Sequence, residues 1–172
     1  MTKYLEWKGA TDAWYFAYYD KEEKVNKPFK LGEFAVKDIE YTVRGFDEST
    51  NSNIYSNDIK SFNDEVFVVK SKGGELFEGR YKKEDILALW AKLHIKITAL
   101  ANGEEVVIYL KGNNYFNFSK LIGRDGDVDT ATTMVKIEGA SDEKAGAVKY
   151  KAPIFGKGGP IKEEITPENI PF

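Results

Sequence analysis

Apolar, aromatic and β-branched residues recur mainly at alternating positions along this chain, which is the pattern of β-strands with one buried face. Clusters of glycine, asparagine, aspartate and other charged residues separate eight such segments and indicate turns. The predicted strands span residues 13–19, 34–46, 53–60, 65–71, 94–101, 105–111, 132–138 and 147–155. The dipeptide Asn102-Gly103 lies between two of these segments and predicts a hairpin with a type I′ turn.

One helix is predicted at residues 82–92, because the apolar positions 86, 89, 90 and 93 keep helical spacing. A second short helix is predicted at residues 114–121. The order of the predicted elements is several strands, a helix, a hairpin and further strands. This order is that of an OB-fold, a five-stranded Greek-key barrel that binds oligonucleotides. We therefore expect a mainly β protein: an OB-like Greek-key barrel with one central helix, additional strands and a flexible C-terminal tail.

The composition of the chain changes after Ile154-Phe155. Residues 156–160, Gly-Lys-Gly-Gly-Pro, are interpreted as a flexible breaker, which divides the chain into a domain at 1–155 and a tail at 156–172. The tail contains three glutamates and finishes on an apolar tripeptide. Chain ends are usually disordered unless they dock, so we expect this tail to bind a partner. The predicted partner-binding residues are Glu168, Ile170, Pro171 and Phe172.

Composition and charge limit the classes of function. A hydrophobic content of 42% and an aromatic content of 14% indicate a folded chain, and the absence of cysteine excludes disulfides and thiolate chemistry. No stretch is long and apolar enough for a membrane helix, so we expect a cytoplasmic protein without membrane contact. The net charge is −3, which excludes binding of nucleic acid by global attraction and requires a local groove.

Catalytic motifs are weak in this sequence. His94 is the single histidine, lies next to a predicted strand and is interpreted as structural or solvated. The segment Asp125–Asp129 begins like a calcium loop, but Thr130 and Lys136 stand where glycine and glutamate are needed. The sequence therefore predicts a protein that is not an enzyme and has neither cofactor nor metal.

Aromatic and basic residues share strands in the pattern of single-strand binding, where rings stack on bases and cations track phosphates. In the segment 34–46, alternation places Ile39, Tyr41 and Val43 on a core face and Arg44 and Phe46 on the opposite face. Phe46 could equally fold over a barrel end as a core residue. The candidate DNA-binding residues are Trp14, Tyr18, Arg44, Phe46, Tyr55, Lys60, Lys70, Lys72, Arg80, Tyr81 and Lys111.

Three stretches, at residues 45–58, 73–81 and 109–112, resemble phage-type single-stranded DNA-binding proteins. The tip Ile170-Pro171-Phe172 resembles the end of bacterial members, whose acidic tails finish in Asp-Ile-Pro-Phe; Asn169 stands in place of the acid. The resemblance implies an OB-fold, coverage of single-stranded DNA during replication, recombination or repair, and no cofactor. It also implies that the tail recruits replication or repair proteins.

Two other classes remain open at this stage. A protein-interaction or virion-associated β domain would use the same exposed aromatic residues to meet another protein. A nuclease or other metal enzyme would use scattered aspartates and glutamates, although no spacing points to such a site. The sequence decides neither self-association nor the preference between DNA and RNA.

Overall fold

The computed structural model describes residues 2–9 and 15–161. These residues form eleven strands and two helices, so the protein is mainly β. The elements are β1 (Lys3–Lys8), β2 (Tyr15–Asp20), β3 (Val25–Phe29), β4 (Glu33–Asp47), β5 (Ser52–Ser56), β6 (Phe67–Ser71), β7 (Gly74–Gly79), α1 (Lys83–Leu87), β8 (Ala91–Ala101), β9 (Glu104–Lys111), α2 (Gly112–Ile122), β10 (Thr133–Ala145) and β11 (Val148–Pro160). No helix within these ranges is long and apolar enough to cross a membrane.

The strands are hydrogen-bonded in the order β3-β2-β1-β9-β8-β4-β5-β6-β7, and β10 pairs with β4 and with β11. Strands β4, β5 and β6 follow one another as antiparallel neighbours, and β8 returns to lie beside β4. The spatial order β8-β4-β5-β6 is that of a Greek key. Helix α1 lies in the return connection between β7 and β8. The predicted mainly β, barrel-like fold with a central helix is confirmed.

The core lies on one face of this sheet. Ile39 of β4 packs on this side with Ile95 and Ile97 of β8 and Ile108 of β9, and Val43 of β4 belongs to a second buried cluster. Full burial of such a side chain is worth about 1.5–3 kcal/mol, so these alternating positions fix which face points inward. The predicted alternation is confirmed for residues 39–46, because Arg44 and Phe46 lie on the opposite face, but it is interrupted near the start of β4 by a register shift between Val36 and Asp38.

The helix predicted at 82–92 is too long. Helix α1 ends at Leu87, Trp90 has a φ of 62° and is 86% exposed, and β8 begins at Ala91. Pairing of Ala91 with Gly45 supplies strand hydrogen bonds and buries Ala91, which outweighs the local helical spacing. The prediction that Trp90 belongs to the helix is therefore wrong.

Two other local predictions are confirmed. Asn102 and Gly103 have φ values of 53° and 79°, as a type I′ turn requires, and they join β8 to β9. Helix α2 covers the predicted residues 114–121 and starts two residues earlier. Its Phe118 is fully buried and contacts Phe155 of β11 with ring centroids 5.6 Å apart.

The sheet continues past the composition change at residue 156. Strand β11 runs to Pro160, with Lys157 opposite Val135 and Pro160 opposite Thr133 on β10. Residues 156–160 are therefore a paired strand rather than the predicted flexible breaker, because β10 supplies hydrogen-bond partners that local composition does not reveal. The predicted tail residues 162–172 lie outside the described residues.

Candidate nucleic-acid interface

The face of the sheet opposite the core is polar, charged and aromatic where β1, β9, β8, β4, β5 and β6 lie side by side. Arg44 of β4 lies directly opposite Tyr55 of β5 on one side and Lys92 of β8 on the other. Lys70 of β6 lies opposite Tyr55, and Lys111 of β9 lies opposite His94 of β8. Side chains of directly paired residues project to the same face, so the register assembles one continuous surface, which we call the outer face.

Arg44 is held in place by two neighbours on this face. Its guanidinium carbon lies 4.3 Å from the ring centroid of Tyr109, a cation–π contact. Its Nη1 donates a hydrogen bond of 3.2 Å to Oε1 of Glu6. The Tyr109 ring in turn stacks on Tyr4, with ring centroids 6.3 Å apart. The guanidinium is thus oriented while its other N–H groups remain available for a ligand.

A depression of about 370 Å³ opens beside Arg44. Tyr55 forms part of its wall and is 54% exposed, so one face of the ring can accept a stacked partner. Asn53 contributes a side-chain amide, which can both donate and accept hydrogen bonds. The remaining lining residues are Glu6, Gly45, Ile54, His94 and Lys111.

The depression contains charges of both signs: Arg44 and Lys111 are cations, and the carboxylate of Glu6 already pairs with Arg44. Burial lowers the pKa of His94 to about 4, so its imidazole is neutral near pH 7. The pKa of the Lys111 ammonium is lowered, first by loss of water around it and then by the positive charge of Lys92. Among the described residues, Lys70, Lys92 and Lys111 form no ion pair. A phosphate placed beside Lys111 would offset the repulsion between Lys111 and Lys92.

Five of the predicted DNA-binding residues lie in or beside this depression. Arg44, Tyr55 and Lys111 line it directly. Lys70 neighbours Tyr55 in the register, and the exposed Phe46 lies two residues beyond Arg44, opposite Asn53. The structure therefore brings together side chains from β4, β5, β6 and β9.

Other predicted residues lie elsewhere. Lys60 pairs with Asp38 at 3.1 Å, six residues and about 20 Å along β4 from Arg44. Lys72 and Arg80 are exposed at the two ends of β7. Trp14 and the tail residues Glu168, Ile170, Pro171 and Phe172 lie outside the described residues.

Tyr18 and Tyr81 point into the protein. Tyr18 pairs with the fully buried Leu5 and packs against the core, with the Lys3 ammonium 5.1 Å from its ring centroid. Tyr81 packs among Phe62 and Phe67 on the core side of the sheet. Neither ring shares the outer face with Arg44, because each packs against apolar neighbours on the core side, and their predicted contact with DNA stays a prediction.

Sequence analysis missed Tyr109, Lys92 and Glu6 on the outer face. Lys92 was assigned to the helix, although it belongs to β8. Tyr109 and Lys111 are two residues apart in the predicted strand 105–111, so its alternation predicts that both lie on one face. The parallel pairing of β1 with β9, which brings Glu6 to Tyr109, left no local signal.

Comparison of the chain with protein-family models, with curated proteins and with solved structures finds no match.

Proposed function

We propose that this protein binds single-stranded DNA, without catalysis and with little sequence preference, and that it protects the strand during phage or bacterial DNA replication, recombination or repair in the cytoplasm. The outer-face depression carries the proposal. It combines an exposed tyrosine ring, an oriented arginine and Lys111, and Lys70 and Lys92 lie beside it; none of the three lysines has an ion-pair partner among the described residues. Single-strand binders use this combination of stacking ring and phosphate-tracking cations.

A single strand fits this surface better than a duplex does. The ring of Tyr55 can stack only on a base whose face is exposed, and bases in a duplex stack on each other. The net charge of −3 gives no general attraction for a polyanion, so affinity depends on the local cluster of Arg44, Lys70, Lys92 and Lys111. Stacking contributes about 1–3 kcal/mol per base, which compensates for a small number of phosphate contacts.

Recruitment of replication or repair proteins by residues 163–172 belongs to the same proposal. Its support is the resemblance of the acidic segment and of Ile170-Pro171-Phe172 to the tails of bacterial single-stranded DNA-binding proteins. We expect a peptide of residues 163–172 to compete with the intact chain for such a partner.

The proposal is tested by fluorescence anisotropy of a labelled poly-dT oligonucleotide titrated with the full chain at several salt concentrations, with duplex DNA in parallel. We expect tight binding to the single strand, weak binding to the duplex, and a linear fall of log K with log salt concentration. Absence of single-strand binding at low salt would refute the proposal and favour a protein-interaction or virion-associated β domain. Cleavage of the oligonucleotide on addition of magnesium would refute the non-enzymatic assignment.

A further inference from the structure

A second cavity, of about 420 Å³, lies between α1, the start of β8 and α2. Four aromatic residues and two lysines contribute to its lining: Phe62, Tyr81, Tyr115, Phe116, Lys83 and Lys92. Cavities of this size are typical of sites for small organic groups. This cavity is distinct from the outer-face depression, because its walls include residues on the core side of the sheet, such as Tyr81.

The rings in the cavity wall are held at angles to one another. Phe62 and Tyr81 have ring centroids 5.6 Å apart and planes inclined by 44°. Tyr115 and Phe116 have centroids 5.6 Å apart and planes inclined by 82°. Phe116 is 61% exposed, so much of its ring is left uncovered by the described residues. A flat aromatic group entering the cavity would cover this ring.

The cavity can also form hydrogen bonds. Burial and the neighbouring Tyr41 raise the pKa of Tyr115 to about 12, and its hydroxyl already donates a hydrogen bond to Tyr41, so the oxygen of Tyr115 can serve as an acceptor. Burial also raises the pKa of Tyr81. Hydroxyl groups beside aromatic rings suit a nucleobase, which has polar edges and flat π-faces.

The cavity adjoins the basic depression at the ends of β8 and β9. Lys111 lines the depression, and the next residue, Gly112, lines the cavity. Lys92 lines the cavity, pairs with Arg44 in the sheet, and lies close enough to Lys111 for its charge to lower the pKa of that lysine. Lys92 and Lys111 therefore place positive charge where a phosphodiester would pass from one site to the other.

We propose that this cavity takes one nucleobase of a bound single strand whose backbone runs over Lys111 and Lys92 from the outer-face depression. The inference rests on the proposed function and adds to it a base-binding subsite on the other side of the sheet end. The two lysines beside the cavity favour a nucleotide over an uncharged apolar ligand, because a nucleotide carries a phosphate that can pair with them.

The test is a cycle that combines Phe116→Ala with removal of single bases from the DNA. The oligonucleotide is poly-dT trimmed to the shortest length that retains full affinity, so that it binds in one register, and an abasic site replaces each position in turn. For the native chain we expect one position at which base removal weakens binding about tenfold, the typical value of one stacked base. In Phe116→Ala the same base removal should cost nothing further. Phe116→Tyr, which keeps the ring, should behave like the native chain.

Tyr19→Ala is the matched control, because Tyr19 on β2 is an aromatic residue of similar exposure, 57%, outside both sites. It should leave every affinity unchanged. The inference is overturned if the losses from Phe116→Ala and from every base removal simply multiply. It is also overturned if Phe116→Ala leaves DNA binding intact and abolishes binding of a labelled peptide of residues 163–172, since the cavity would then hold a protein segment.

The two proposals fail in different ways. If the native chain binds no single strand, the proposed function fails and the base site fails with it. If the native chain binds and Tyr55→Ala weakens it, while the Phe116 cycle shows no coupling, the outer-face site stands and the base site alone is refuted.

Discussion

Two lysines on the outer face differ in whether a carboxylate already neutralises them, and this difference makes a sharp prediction about DNA binding. Lys96 donates a 2.6 Å hydrogen bond to Oδ2 of Asp58. Lys111 lies two register positions away, opposite His94, and forms no ion pair with a described residue. We expect Lys111→Gln to weaken binding of single-stranded DNA and Lys96→Gln to change it little.

The magnitude follows from counterion release. Each phosphate neutralised on a single strand contributes about −0.7 to the slope of log K against log salt concentration. Arg44 already pairs with Glu6, so Lys70, Lys92 and Lys111 are the cations at the site that no described carboxylate neutralises, and the native slope should be about −2. Removing one contact should bring the slope to about −1.4 and lower the affinity about fivefold at 0.1 M salt and about eightfold at 0.05 M.

The assay is fluorescence anisotropy of a labelled poly-dT oligonucleotide with the native chain and both variants, at four or more salt concentrations near pH 7. Circular dichroism and thermal unfolding show whether each variant is folded. Equal losses in Lys96→Gln and Lys111→Gln, or an unchanged slope in Lys111→Gln, would refute the reasoning that lysines without ion-pair partners on the outer face contact phosphates.

Three further outcomes are expected. Tyr55→Ala should weaken single-strand binding about tenfold with an unchanged salt slope, because it removes a stacking ring and no charge. Tyr19→Ala should leave the affinity unchanged. Equal losses of affinity in the two variants, measured by anisotropy, would argue against stacking. Gly45→Ala should destabilise the fold by about 1–3 kcal/mol in urea denaturation, because an added Cβ would lie 2.5 Å from the Trp90 carbonyl oxygen; native stability would contradict this contact. The lowered pKa of His94, about 4, means that the unfolded chain binds more protons between pH 6.5 and 4. Stability should therefore fall as pH falls through this window, by at most about 3 kcal/mol, and His94→Gln should lose less than the native chain.

Several features of this protein were predictable from the sequence because they depend on local periods and turn chemistry. Val43 and Arg44 are consecutive in a strand, so their side chains point to opposite faces of the sheet whichever strand lies beside them. The dipeptide Asn102-Gly103 tolerates positive φ, and the structure uses it where the sequence places it. The order of strands and helix was sufficient for the fold class, since few topologies accommodate it.

Features that depend on distant neighbours were decided only by the tertiary structure. The helix ends before Trp90 because residues from 91 onward pair with β4. A longer helix would use the backbone groups that form these strand hydrogen bonds. Residues 156–160 form a strand because β10 lies beside them, despite three glycines and a proline. Tyr18 and Tyr81 are partly buried against apolar neighbours, whereas Tyr109 and Tyr55 are brought to Arg44, although all four are tyrosines. By itself the sequence determined which side chains share a strand face; which faces meet, and hence which cations and rings form one site, depends on non-local pairing that no local pattern encodes.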